Sequence, residues 1–400
     1  MKTLIELYVN ERFDDLSAVM TFAPERTVFL CSGSIPDKAT RESIARFVSS
    51  VREGAKAEFI NVGNRSIETL LGKIEEITAS YPDCAIDMSG GAASVLIAAE
   101  RFSSSHRAKS FYFDDIRGKY RNIYGMEGEL SALGAPHIEV RRLIELGGGM
   151  VTGNKHPTPV QHEDIRLVRA LFDVYSAHIG EWNSLAEYLQ YGLRHCYDAD
   201  RQRFSAPSAL LNNGYPLKSN RRLLGFIEET GAISGLDTAG DHVSFTFENG
   251  FIREVLTTVG SCLELFVYMS ATDCAHFDSA EMSVEFDWDG ASSGGFDDTT
   301  NEIDVIMTKG VRSYFVSCKT ARPDTRDLYE ISYLARRFGG RSAQAVIATA
   351  ADLSGEAWSL YRRARDMGVA VIERNDIRAG MQHVSERILH PEWYDEKPIG

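Results

Sequence analysis

The strongest constraint in this sequence is a regular alternation, over the first 120 residues, of short apolar runs with amphipathic segments. Thr3 to Val9, Thr27 to Cys31, Ala57 to Val62, Cys84 to Met88 and Ser110 to Phe113 read as strands. Between them, Phe13 to Phe22, a segment starting near Asp37, one capped by Ser66 and one from Ala92 to Phe102 read as helices. The third has Ile67, Leu70, Leu71, Ile74 and Ile77 on one apolar face. Such βαβα order demands a mostly parallel sheet covered by helices on both faces, and ligands of such sheets sit outside the carboxyl ends of the strands. The candidate ligand contacts are therefore Val9, Asn10 and Glu11 after the first strand, Ser32, Gly33 and Ser34 after the second, and Met88, Ser89, Gly90, Gly91 and Ala92 after the fourth. Glycines there let backbone approach a phosphate, and the following helix offers N–H groups and the positive end of its dipole. A plain tight connection explains such a turn equally well. No Gly-x-Gly-x-x-Gly follows the first strand, which argues against a dinucleotide cofactor.

At 400 residues the chain is too long for one core of ordinary size. A boundary is expected near His156-Pro157-Thr158-Pro159, closing a first domain at residues 1–155. Residues 156–225 read as a helical connector of helix-turn-helix type, with Leu167, Leu171, Val174 and Tyr175 on one face. Residues 226–400 read as a further α/β domain. From residue 260 its order is helix, strand, strand, strand, helix, strand, with Asp324 capping the second helix and Gly339-Gly340 ending it. Glu6 interrupts any secretory signal region, no apolar run would span a bilayer, and the six cysteines form no Cys-x-x-Cys pair. These features point to a cytoplasmic protein with reduced thiols and no membrane partner.

The net charge is −14, but its distribution matters more than its sum. Residues 264–304 hold eleven Asp or Glu and no Lys or Arg, whereas residues 305–380 hold thirteen Lys or Arg against eight Asp or Glu. An acidic stretch able to hold a cation thus precedes a basic one able to hold phosphates. Asp304 and Lys319 lie on consecutive strands amid apolar neighbours, close enough to meet if the strands pair. Ile303 and Val305 are expected on one face with Asp304 and Glu302 on the other, while Phe315, Ser317 and Lys319 share a face. The metal reading has Asp304 holding magnesium or manganese beside Lys319; the plain reading is an ion pair at a sheet end. Glu264, in the apolar segment Ser261 to Tyr268, favours the metal, because an isolated buried carboxylate is costly. Tyr329, Glu330, Glu285, Asp287, the Arg336-Arg337-Arg341 group and the Arg362-Arg363-Arg365 group are secondary candidates for contacts to the site or to nucleic-acid phosphates.

The order Glu264, Asp304, Ser317-x-Lys319 on helix, strand, strand resembles the PD-(D/E)xK nuclease core. Gly260-Ser-Cys-Leu-Glu264, Asn301-Glu-Ile-Asp-Val, Ser317-Cys-Lys-Thr and Arg337-Phe-Gly-Gly340 resemble, more narrowly, the CRISPR-associated Rossmann-fold (CARF) nucleases of type III CRISPR defence. Asp87-Met-Ser-Gly-Gly-Ala-Ala93 is similar to the family's sensor loop. The resemblance spans most of the chain, least clearly residues 120–225. It implies a CARF sensor domain, a connector and a restriction-endonuclease-like domain. It also implies a homodimer activated by a cyclic oligoadenylate, most simply cyclic tetra-adenylate, that cleaves RNA, DNA or both. Glu264, Asp304 and the Cys318 carbonyl would hold Mg2+ or Mn2+, Lys319 would orient the attacking water, and Ser317 would donate to a phosphate oxygen or bound water. Two positions depart from the pattern: Ser317 replaces the usual acidic residue, and Ala93 stands where the sensor loop often has Lys. The first keeps open a non-catalytic sensor whose C-terminal domain binds nucleic acid or a protein partner. A third reading has the N-terminal domain degrade its own ligand.

Overall fold

A computed structural model describes residues 1–63, 66–81, 83–114, 117–133, 137–154, 164–198, 202–288, 300–353 and 358–391. The N-terminal elements run β1 (Thr3–Tyr8), α1 (Arg12–Phe22), β2 (Arg26–Cys31), α2 (Lys38–Val51), β3 (Lys56–Asn61), α3 (Ile67–Ser80), β4 (Cys84–Asp87), α4 (Ala93–His106), β5 (Ser110–Asp114), β6 (Lys119–Tyr124) and α5 (Glu127–Ala132). They build a six-stranded sheet of order β3-β2-β1-β4-β5-β6. All neighbours are parallel except the β5–β6 hairpin. The alternation of apolar runs and amphipathic segments produced this Rossmann-like unit. Asp37 and Ser66 cap α2 and α3 by accepting the N–H groups of Thr40 and Thr69. Because the order reverses between β1 and β4, the loops after these strands flank a switch-point crevice.

The chain continues with α6 (Val140–Leu146), β7 (Met150–Asn154), α7 (Ile165–Cys196), β8 (Tyr197–Asp198), β9 (Arg203–Pro207), β10 (Ala209–Asn212), β11 (Tyr215–Lys218), α8 (Arg221–Glu229), β12 (Ile233–Asp237) and β13 (His242–Phe247). The expected helical connector is only partly helical. Residues 203–218 form short strands, with β9 in the sheet β12-β13-β9-β8 and β10–β11 a separate hairpin. The hairpin turns at Asn213 and Gly214, both at positive φ, so a two-residue turn rather than helical periodicity governs this stretch.

The last elements are α9 (Gly250–Thr257), α10 (Ser261–Thr272), β14 (Ser279–Asp287), β15 (Thr300–Lys309), β16 (Arg312–Lys319), α11 (Thr325–Gly339), β17 (Gln344–Thr349), α12 (Trp358–Asp366), β18 (Val369–Ile372), α13 (Arg374–Arg378) and α14 (Met381–Leu389). Their mixed sheet has the order β18-β17-β16-β15-β14-β7. β7 lies on the N-terminal side of the boundary expected near residue 156, yet it pairs antiparallel with β14. Its neighbour α6 buries Val140, Leu143, Ile144 and Leu146 in a core shared by Phe13 and Leu16 of α1 and by Phe286, Phe315 and Phe338 of the C-terminal half. Residues 155–163, where the boundary was expected, lie outside the described residues. No single helix among the described residues is long and apolar enough to cross a membrane.

Candidate functional site

The loops after β1, β2 and β4 gather at one edge, because β2, β1 and β4 are parallel neighbours and end together. After β1, the Val9 N–H donates to Asp15 Oδ1 at 2.9 Å and the Tyr8 hydroxyl to Asn10 Oδ1 at 2.7 Å, with Asn10 at a φ of 66°. After β4, the Ser89 N–H donates to Asp87 Oδ1 at 2.8 Å, the Ser89 hydroxyl donates to the same oxygen, and Ser89 Oγ accepts the Phe113 N–H at 2.8 Å. Ser89 is thereby a latch between β4 and β5. Gly91 is required by its neighbours: at φ +110° a methyl group there would lie 2.7 Å from Leu7 Cβ. Ala92 leaves the N-terminus of α4 without a side-chain cap, so its first N–H groups point to the crevice edge unclaimed by a side chain. Ser32 is half-exposed, and Gly33 and Ser34 are exposed after β2. Met88, by contrast, is buried in the sheet's core, which leaves only its backbone for a ligand.

Beneath these loops lies a group of buried acids that local sequence reading passed over. Glu6 and Asp87 are register neighbours on β1 and β4, and Asp15 reaches in from α1. They are 3%, 0% and 2% exposed. Burial, with Asp87, Asp15 and Asp14 nearby, drives the Glu6 carboxyl well above its ordinary value. Burial likewise raises Asp15 to about 8, against the pull of the Val9 N–H, and Asp87 to about 7, against its bonds from Ser89. The only sequence signal was a carboxylate within each of two apolar strands.

In the C-terminal sheet, β15 pairs antiparallel with β16 up to Val305 opposite Val316. Beyond that point the Asp304 carboxylate takes over: Oδ2 accepts the Cys318 N–H at 2.6 Å and the Ser317 hydroxyl at 3.4 Å. The Ser317 hydroxyl thus stands on the Asp304 side of the strand end. Ile303 and Val305 do not share a face as alternation predicts. Ile303 packs with Val284 and Phe286, whereas Val305 packs with Met282 and Val316 in the other core. Both strands switch faces at the same level, where Ser283 of β14 takes a φ of 50°. Such a local break re-aims side chains next to a site.

Burial raises the Asp304 carboxyl above its ordinary value, although the Cys318 N–H and the Lys319 charge oppose it. Glu264, in the first turn of α10, lies against Gly260 and Thr320, because a methyl at Gly260 would be 3.2 Å from Glu264 Oε1 and 3.7 Å from Thr320 Cγ2. Burial, then the charges of Asp304 and Glu264, push the Cys318 thiol well above its usual value, so it stays a neutral thiol. Lys319 follows next in the chain, so its backbone continues directly from the residue whose N–H Asp304 holds. Lys319 itself is paired with Asp327 of α11, Nζ to Oδ1 at 3.1 Å, rather than with Asp304. Burial lowers the Lys319 ammonium, but Asp327, Asp304 and Glu330 together hold it above its ordinary value. Asp327 was missed, because its spacing to Asp324 reads as a helix-capping pattern, which it also is.

Two carboxylates and a backbone carbonyl are hard oxygen donors that suit Mg2+ or Mn2+ with several waters retained. Among the described residues no three His, Cys, Asp or Glu side chains stand together as a ready-made cage. The secondary candidates divide. Glu330, Tyr329 and Tyr333 are exposed on α11, the two tyrosines 61% and 60% so, and the Trp288 ring stacks on Tyr333 at 5.7 Å. Glu285 lies against Gly153 of β7, and Asp287 is buried. Arg336, Arg337 and Arg341 do not form an open phosphate patch: Arg336 and Arg341 pair with Glu11, Arg341 also with Asp14, and Arg337 donates to the Gly147 carbonyl.

The part of the chain that carries this constellation has known relatives. Residues 253–391 match the Card1-like endonuclease domain family. That Card1-like region includes Glu264, Asp304, Ser317, Cys318, Lys319 and Asp327. Curated proteins offer no match to the sequence. Among solved structures, protein VC1899 from Vibrio cholerae aligns at 16% identity with a TM-score of 0.70, over 97% of this chain and 98% of its own. Can2 from Sulfobacillus thermosulfidooxidans, solved in complex with cyclic tetra-adenylate, aligns at 17% identity with a TM-score of 0.64, over 98% of each chain. At these identities the likeness establishes a shared fold along the whole chain: a Rossmann-like N-terminal unit followed by the mixed α/β unit that contains the Card1-like region.

Proposed function

We propose that this protein is a metal-dependent endonuclease of type III CRISPR defence, cytoplasmic and homodimeric, activated when a cyclic oligoadenylate binds its CARF domain. The observation that carries this reading is the Asp304 carboxylate bonded to the Cys318 N–H, one residue before Lys319, within the Card1-like region. Asp304 and Glu264, with the Cys318 carbonyl, would hold Mg2+ or Mn2+, which when bound would lower the pKa of a water and offset charge on the scissile phosphate. Lys319, kept protonated by its acidic neighbours, orients the attacking water and counters the negative charge that grows in the transition state. Tyr329 and Tyr333 offer ring faces to nucleobases of the RNA or DNA strand. In the sensor domain, the uncapped α4 N-terminus and the loops after β1, β2 and β4 hold the ligand phosphates and adenosines, with cyclic tetra-adenylate as the activator.

The test is cleavage of labelled single-stranded RNA, single-stranded DNA and supercoiled plasmid, with Mn2+ or Mg2+, with and without cyclic tetra-adenylate. Ligand- and metal-dependent cutting that disappears in Asp304→Ala and Lys319→Ala is the expected result. Intact substrates together with tight ligand binding would replace it with the non-catalytic sensor, the reading that Ser317 in place of an acid favours.

A further inference from the structure

Helix α11 carries, at its two ends, groups that belong to the two sites. At its start, Asp327 Oδ2 accepts the Asp324 N–H at 2.7 Å within the capping box, while Oδ1 holds Lys319 Nζ at 3.1 Å. One carboxylate therefore ties the lysine to the helix's first turn. At the far end, Arg336 Nη2 lies 2.6 Å from Glu11 Oε1, and Arg341 Nε lies 3.4 Å from Glu11 Oε2 and 3.1 Å from Asp14 Oδ2. Gly340, at φ +69°, sits directly on Phe13 of α1: a methyl there would be 2.7 Å from Phe13 Cβ. Glu11 is the N-cap residue of α1 and closes the loop Val9-Asn10-Glu11 at the carboxyl end of β1. Between the ends, Leu328, Ile331, Leu334, Ala335 and Phe338 are buried along one face. A helix packed in this way shifts as a unit rather than bending, because close-packed interfaces deform little.

We infer that α11 is the element that couples ligand occupancy of the β1 loop to the placement of Lys319. Asp327 is the positioning residue at its catalytic end, and the contacts of Glu11 with Arg336 and Arg341 are the joint at its sensor end. The inference rests on the proposed function and gives its site a route of regulation. A phosphate seated at Val9-Asn10-Glu11 repels the Glu11 carboxylate and attracts Arg336 and Arg341. Both effects loosen the joint. The helix then shifts on α1 and takes Asp327 with it, and Lys319 changes its position relative to Asp304. A ligand moves such an equilibrium only through differential interaction with the two arrangements, and the exchange of Glu11 for phosphate at the arginines is that difference.

The test uses the full chain with cyclic tetra-adenylate as the probe. Arg336→Gln/Arg341→Gln lies outside the loops. At saturating ligand its ratio of stimulated to unstimulated cleavage is expected to fall about tenfold or more, the size of a typical coupling. Glu11→Gln should give the same loss, and combining all three changes should add little, as for partners in one contact. Hydrogen exchange of the α11 amides should respond to ligand in the unaltered protein and not in Arg336→Gln/Arg341→Gln. Asp327→Asn keeps an acceptor for the cap but removes the ionic partner of Lys319. At saturating ligand its kcat should fall, with KM for the strand and ligand affinity unchanged. A wild-type stimulation ratio in Arg336→Gln/Arg341→Gln, or α11 exchange indifferent to bound ligand, overturns the inference. If no substrate is ever cut but ligand still alters α11 exchange through these arginines, the nuclease reading fails and the coupling stands.

Discussion

Asp304 shows how one residue is fitted to two demands. Its carboxylate replaces ladder bonding at the end of the β15–β16 pairing, and burial makes its charge costly. Asp304→Asn retains an acceptor for the Cys318 N–H but gives up the charge a cation needs. Cleavage should fall by roughly 10²–10⁴-fold, as when a group acting directly on the reaction is removed. The melting temperature should hold or rise, and a clear drop in it would show the charge to be structural. Asp304 and Lys319 were legible in the sequence because charges stand out in apolar strands. Asp327 was not, because a first-turn acid on an amphipathic helix is ordinary, and only the fold brings it to Lys319.

The buried acids give a second prediction at this scale. Asp15 and Asp87 have native values raised to about 8 and about 7, so the folded state binds more protons than the unfolded one above the ordinary carboxylate range. Their favourable contribution is complete below the unfolded value and is lost as pH rises through the folded values. Asp15→Asn keeps an acceptor for the Val9 N–H and removes one of these titrations. Its stability relative to the unaltered protein should therefore improve steadily from about pH 5 to about pH 8. Denaturant unfolding at a series of pH values reads this directly; parallel curves would mean that Asp15 ionises normally. The acid cluster escaped sequence reading because it depends on β1 lying beside β4, a strand order that no local pattern states.

At the scale of elements, legibility followed periodicity. The five parallel strands, their helices and the helix-strand-strand-strand-helix order of the C-terminal domain appeared where expected, within a few residues. Strands β9 to β11 did not, because the strong helical face of residues 167–175 was extended too far along the chain. The Asn213-Gly214 pair between short apolar runs was the available hairpin signal. The inversion of faces at Ser283 and Asp304 was equally hidden, since strict alternation assumes regular strands. α11 supports a prediction of its own. Tyr333 is exposed, stacks on Trp288, and lies on the helix that holds Lys319 through Asp327. Base–aromatic stacking contributes about 1–3 kcal/mol per base, so Tyr333→Ala should raise KM roughly 5- to 150-fold while leaving kcat nearly unchanged. A fall in kcat alone would assign Tyr333 to the catalytic step and remove it from strand binding.

For the molecule as a whole, the sequence suggested separate domains joined by a connector, whereas the core runs across them. Phe13 and Leu16 of α1, the helix α6, Phe315 of β16 and Phe338 of α11 belong to one buried cluster, and β7 adds an early segment of chain to the late sheet. Strand pairing between residues 150–154 and 284–287 is too long-range for any local pattern to announce. The two sites should accordingly lose structure together. Gly340→Ala is the probe, because its methyl would meet Phe13 Cβ at 2.7 Å while its φ of +69° disfavours any side chain. A cost of about 1–3 kcal/mol is expected from the overlap and strain. Calorimetry of the unaltered protein should show the N-terminal sheet and the C-terminal sheet melting in one transition. Gly340→Ala should lower that transition by about 1–2 °C per kcal/mol for a unit of this size, without splitting it. Two transitions, only one of them moved, would mean that α1 and α11 touch without sharing stability. In that case the Glu11, Arg336 and Arg341 charges, rather than the packing of Phe13 on Gly340, would carry a signal between α1 and α11.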